Sequence, residues 1–141
     1  MRIEAATAAT PELLDALQRL LPQLNPELPP LTIERLAKVI ADPAVTLLTI
    51  KDGEAIMGAA AVIAYRTPAH VKARIEDVVV DERMRGRGAG KALVRACIEV
   101  AREQGAEIVE LQSARWREVA NRLYPSLGFK LRESNPYRLE L

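Results

Sequence analysis

Residues 78–93 read Val-Val-Val-Asp-Glu-Arg-Met-Arg-Gly-Arg-Gly-Ala-Gly-Lys-Ala-Leu, and they constrain the fold more than any other stretch of this chain. Three successive valines mark the end of a buried strand, and the apolar spacing after Gly88 marks a helix. The glycine and arginine loop therefore joins a strand to a helix start. A helix start leaves main-chain N–H groups without partners, and these groups and the helix dipole favour an anion. Gly86, Gly88 and Gly90 keep Cβ atoms out of its way. Arg85, Arg87 and Lys91 add positive charge around the same point. The loop suits a pyrophosphate.

Two common pyrophosphate loops do not fit. Gly90-Lys91 is followed by Ala92, so the hydroxyl that a P-loop offers to magnesium is missing. Glycines at 86, 88 and 90 also miss the Gly-x-Gly-x-x-Gly spacing of a dinucleotide fold. What remains is Arg-x-x-Gly-x-Gly, carried by Arg85, Gly88 and Gly90.

The rest of the chain sets the frame. Its 141 residues suit one domain over 1–141. A net charge of +1 gives no global electrostatic case for nucleic acid or a membrane surface. No apolar run reaches membrane-span length, and the N-terminus lacks a signal-peptide pattern. One cysteine, Cys97, and one histidine, His70, argue against a disulfide or a dedicated metal site, and a lone thiol suits the cytoplasm.

Hydrophobic spacing predicts a first strand over 2–7 and a helix over 11–22, with Thr10 as N-cap and Pro11 in the first turn. The four prolines between 22 and 30 make an irregular connection. Thr32 caps a second helix that Asp42-Pro43 ends. Strands follow at 45–50 and 55–65 around an Asp52-Gly53 turn, then at 71–80. A helix from Gly88 to Gln104, a strand at 108–111 and a helix at 115–127 come next. That last helix is expected to turn Trp116, Ala120, Leu123 and Leu127 inward. Phe129–Arg132 and Pro136–Leu141 are expected to be closing strands.

The loop in this setting resembles the acyl-coenzyme A loop of the GNAT family of N-acetyltransferases. The segment Ala120-Asn121-Arg122-Leu123-Tyr124-Pro125-Ser126-Leu127-Gly128-Phe129 is similar to the family's closing motif, a helix ending in Tyr, three residues, then Gly-Phe. The resemblance covers nearly the whole chain. It implies an α/β (α+β) GNAT acyl-CoA N-acyltransferase fold, a mixed and mostly antiparallel sheet of about seven strands flanked by about four helices. It also implies acetyl-CoA as cosubstrate, no metal, and a small-molecule amine as acceptor. Family members often pair, so a homodimer fits. The sequence Ile75-Glu76-Asp77 resembles acetyltransferases of glucosamine phosphate and related small amines.

Site residues follow by the same resemblance. Val78, Val79 and Val80 would pair with the pantetheine arm through their main chain. Arg85, Gly86, Arg87, Gly88, Ala89, Gly90 and Lys91 would hold the diphosphate. Tyr124 would be the general acid: a tyrosine stays protonated to about 10, above a thiol near about 8.5. Glu76 is the expected base, because alternation places Glu76, Val78 and Val80 on one face unless a bulge intervenes; a bulge would favour Asp77. Asn121 either touches the coenzyme or sits on the solvated helix face. Arg117 stands where many members have an asparagine. Arg66, His70, Lys72 and Arg74 would favour an anionic acceptor, or else face solvent. Cys97 lies on an apolar helix face and is expected to pack rather than react. Acetylation of a protein lysine or N-terminus, or coenzyme binding without turnover, are the alternatives.

Overall fold

The computed structural model describes residues 1–141. Its elements run β1 (Arg2–Ala5), α1 (Pro11–Leu24), α2 (Ile33–Ala41), β2 (Val45–Asp52), β3 (Ala55–Arg66), β4 (Val71–Val80), a 3-10 turn (Glu82–Met84), α3 (Ala89–Glu103), β5 (Ile108–Leu111) and α4 (Glu118–Ser126). The strands form one sheet in the order β1-β2-β3-β4-β5. Neighbours are antiparallel as far as β4, and β5 joins parallel to β4 after the α3 crossover.

Local chemistry explains the element ends. The Thr10 hydroxyl accepts from the Leu13 N–H at 3.1 Å, and Thr32 does the same for Arg35 at 3.2 Å. Pro22 does not stop α1. A proline removes only its own N–H, and the Asn25 N–H still bonds to the Leu21 carbonyl at 2.9 Å, so the helix runs on to Leu24. Gly53 takes a φ of 61° in the β2–β3 turn.

Both faces of the sheet are packed. On one, Leu13, Ala16, Leu17 and Leu20 of α1 and Leu36 of α2 cover Ile56, Ala59 and Val79. On the other, Ala89, Leu93, Val94, Cys97 and Ala101 of α3 cover Leu48, Ile50, Ala60, Val62, Ala73 and Ile75. Each fully buried leucine contributes roughly 2 kcal/mol. Strand β3 passes under both layers, which leaves no space at Gly58: an added Cβ would lie 2.9 Å from the Val79 carbonyl oxygen and 2.8 Å from Ile50 Cγ2. No helix is long and apolar enough to cross a membrane.

The C-terminal third departs from expectation. The sheet has five strands rather than about seven, because Phe129–Arg132 and Pro136–Leu141 pair with nothing. Beyond the Phe129 N–H, which bonds to the Tyr124 carbonyl, no main-chain hydrogen bond involves the tail. Leu131, Tyr137, Leu139 and Leu141 are all exposed. The alternation of Tyr137, Leu139 and Leu141 specifies a strand only where an edge lies within reach, and the tail pairs with no strand. Helix α4 begins at Glu118 rather than 115 and buries no residue fully. Trp116 is 74% exposed, not inward.

Candidate functional site

The site grows from one irregularity in β4. Ala61 pairs with Glu76 and Ala59 with Val79, so Asp77 and Val78 together oppose Ala60. This bulge bends the strand, and Asp77 takes a φ of 52°, the one positive value outside glycine. Simple alternation therefore fails here. Val79, not Val78 or Val80, shares the Glu76 face and packs under α1, while Val78 and Val80 pack towards α3.

The bulge coincides with a parting of strands. β5 pairs with β4 only from Lys72 to Ile75. Past Ile75, residues 76–80 have no strand on their β5 side, so their main chain is open to an extended ligand arm.

The glycine loop lies at the end of this opening. Met84 and Ala89 are buried and anchor it, while residues 85–88 are exposed. Gly86 and Gly88 have φ of 76° and 75°, and Gly88 is the left-handed N-cap of α3. The Met84 N–H bonds to the Asp81 carbonyl, the Arg85 N–H to that of Glu82, and the Ala92 N–H to that of Gly88. From Gly86 to Lys91 no N–H bonds to a protein oxygen, so the amides around the start of α3 are unpaired.

The cations around the loop divide into two sets. Arg83 is bound to Asp81, at 2.9 Å through Nη2. Arg87 reaches Asp52 in the β2–β3 turn at 3.1 Å and the Met84 sulfur at 3.1 Å. Arg85 and Lys91 make no ion pair. Of the expected cations, these two are free to meet an anion.

Tyr124 stands near the end of α4, half-buried, with its ring edge-on to Phe129 at 5.9 Å. Burial raises its hydroxyl pKa, the nearby Arg117 guanidinium opposes that, and Cys97 adds a little to the rise. The group stays a proton donor at neutral pH. Arg117 donates to the Leu24 carbonyl at the end of α1 and stacks on Trp116 at 4.7 Å. α1 has no basic residue in its last turn, so Arg117 supplies that charge from across the fold. Asn121 donates to the Ala114 and Arg117 carbonyls at 2.8 and 2.9 Å, which fixes the entry to α4.

The acidic candidates sit side by side on the bulge. Glu76 accepts from Arg74 Nε at 2.8 Å. The Asp77 carboxyl is raised by desolvation and, less strongly, by Glu76. The expected basic mouth is largely neutralised: Lys72 pairs with Glu110 at 3.1 Å, Arg74 with Glu76, and His70 contacts Glu107 at 3.4 Å. Cys97 is fully buried, and desolvation pushes its thiol up to about 12, which removes it as a nucleophile.

Sequence reasoning missed Arg19, Gln23 and Asp81. The signal was slight: Arg19 and Gln23 lie at helical spacing on the exposed flank of the apolar stripe of α1, and Asp81 is an acidic cap directly after a strand.

Comparisons with known proteins bear on the family and the fold. The family model described as acetyltransferase (GNAT) family matches residues 10–129. A glucosamine 6-phosphate N-acetyltransferase of Trypanosoma brucei brucei is 43% identical over 67 residues, 48% of this chain and 43% of that protein. The chain spans less than half the length of the curated relatives it matches. The crystal structure of a Trypanosoma brucei acetyltransferase superposes with a TM-score of 0.79 at 28% identity, covering 99% of both chains. An aminoglycoside acetyltransferase from an uncultured soil sample, at 21% identity, shares the fold with a TM-score of 0.84 over 99% of this chain and 95% of its own.

Proposed function

The chain belongs to the acetyltransferase (GNAT) family, and on that premise we propose that it moves the acetyl group of acetyl-CoA to a primary amine of a small molecule, by direct attack in a ternary complex. Acetyltransferases of this fold use acetyl-CoA. The observation that carries the reading is the run of unpaired amides from Gly86 to Lys91, flanked by the free charges of Arg85 and Lys91. They suit the coenzyme diphosphate. The unpaired stretch of β4 from Glu76 to Val80 would take the pantetheine arm as an added strand.

In the reaction the amine nitrogen attacks the thioester carbon, a C–N bond forms, and the C–S bond breaks. A main-chain N–H released by the bulge near Val78 would steady the oxyanion. The departing thiolate takes the Tyr124 proton. Glu76 accepts the proton lost by the amine, directly or through water. Asp77 is its competitor, because its raised pKa suits a base. No nucleophile for a covalent acetyl-enzyme is in view, since Cys97 is buried.

The small-amine subtype is supported by the partial likeness to the glucosamine 6-phosphate enzyme. We read residues 1–141 as a single domain working in the cytoplasm. The unpaired tail with its four exposed apolar side chains supports a homodimer. A panel of amino sugars, aminoglycosides and polyamines, assayed with acetyl-CoA for thiol release, tests the reading. Saturable turnover with one of these classes is expected. Absence of any thermal stabilisation by coenzyme A would sink it, because a ligand that binds only the folded form must raise Tm.

A further inference from the structure

The diphosphate loop has few attachments of its own, and the strongest of them come from α1. The Asp81 side chain, 3% exposed, lies directly beneath the loop. Its Oδ1 accepts from the Arg83 main-chain N–H at 3.0 Å and from Arg83 Nε at 3.2 Å. Its Oδ2 accepts from Arg83 Nη2 and from Arg19 Nη1. The other arm of Arg19 donates to the Ile56 carbonyl of β3 at 2.6 Å. One turn further along α1, Gln23 Oε1 accepts from the Glu82 N–H at 3.1 Å. One helix face thus holds both the carboxylate that starts the loop and the first amide of its 3-10 turn.

We propose that Arg19 and Gln23 are positioning residues, which set the loop amides for coenzyme through Asp81 and Glu82. The inference rests on the acetyltransferase reading, since it takes the loop to be the coenzyme site. Arg19 touches neither the unpaired amides nor the free cations, so its action on coenzyme is indirect. A planar guanidinium is suited to this: its fork engages the carboxylate and the β3 carbonyl together, which fixes the angle between α1 and the end of β4. Arg83 alone cannot fix that angle, because it belongs to the loop it would have to hold. The same helix receives Arg117 at Leu24, so α1 contacts both the diphosphate loop and the entry to the helix bearing Tyr124.

The test compares Arg19→Met, Arg19→Lys and Gln23→Leu with the unaltered chain. Methionine keeps the apolar stem of Arg19 on the helix, and Arg83 still partners Asp81, so folding is retained. Three readouts are followed: coenzyme A affinity by calorimetry, hydrogen exchange of the bonded amides from 82 to 85, and steady-state kinetics. R19M is expected to weaken coenzyme binding about tenfold and Q23L about threefold. Exchange of the bonded amides from 82 to 85 should quicken while the α3 core stays protected, and kcat at saturating coenzyme should stay within about twofold. R19K should recover part of the affinity. Unaltered affinity in R19M, or an equal loss of kcat and of protection throughout the molecule, overturns the proposal. Failure of the unaltered chain to bind coenzyme A would instead overturn the acetyltransferase reading.

Discussion

Helices α3 and α4 carry the two halves of the proposed chemistry, and they are built differently. α3 buries Ala89, Leu93, Val94, Cys97 and Ala101 against the sheet, and the loop before it is tied to α1, β2 and β3. α4 buries nothing fully, and every residue from Lys130 onward is exposed. The side bearing Tyr124 is held by Arg117, Asn121 and the Tyr124–Phe129 contact, and its outer face is exposed. The loop and the surroundings of Tyr124 can therefore be perturbed separately.

Mutations can break or sharpen that contrast. The largest effect is expected at Tyr124: Tyr124→Phe should lower kcat about a hundredfold or more while coenzyme A affinity is kept. Equal losses in both would place Tyr124 on the binding side. Because burial raises its pKa, the unaltered enzyme should show no loss of activity from this group until the pH passes the ordinary tyrosine value, which a pH–rate profile checks.

Next comes packing. Leu93→Ala should cost about 3 kcal/mol in denaturant unfolding, whereas Leu139→Ala in dilute protein should change nothing measurable. A comparable cost at Leu139 would mean that the tail is already covered in solution. At the loop, Arg85→Ala should weaken coenzyme binding about tenfold, and Arg87→Ala less, because Arg87 is engaged with Asp52. Isothermal titration would rank them.

The smallest effect is on acid stability. The Arg83 hydrogen bonds, foremost, hold the Asp81 carboxyl at about 2 against an ordinary 3.8. A lowered folded-state pKa gives stability that is complete above the unfolded value and fades as pH falls towards 2. The advantage of the unaltered chain over Asp81→Asn in urea should hold from neutral pH down to about 4 and shrink below it. An advantage that grew on acidification would contradict the assignment.

The same contrast governs how much was legible in the sequence. Strand–loop–helix at 78–93 was readable because local signals and tertiary packing agree there: valines, glycines at positive φ, and a helix whose apolar face meets the sheet. The bulge at Asp77 was legible only as an alternative: the successive polar residues Glu76 and Asp77 break alternation, but only the pairing with β3 shows that Asp77 and Val78 together oppose Ala60. The missing closing strands failed for another reason. Tyr137, Leu139 and Leu141 have a strand's pattern, but pattern does not supply a partner. Arg19 and Gln23 share one exposed flank of α1 and Asp81 ends a strand, yet their meeting spans 62 positions between Arg19 and Asp81 and needed the fold.

Cys97 has a practical consequence. It is the sole thiol of the chain, and at 0% exposure with a strongly suppressed thiolate it will not react with a disulfide dye in the folded protein. Colour released in a dye-coupled assay would then report liberated coenzyme alone, with no protein blank to subtract, and a slow creeping background would be a direct signal of unfolding.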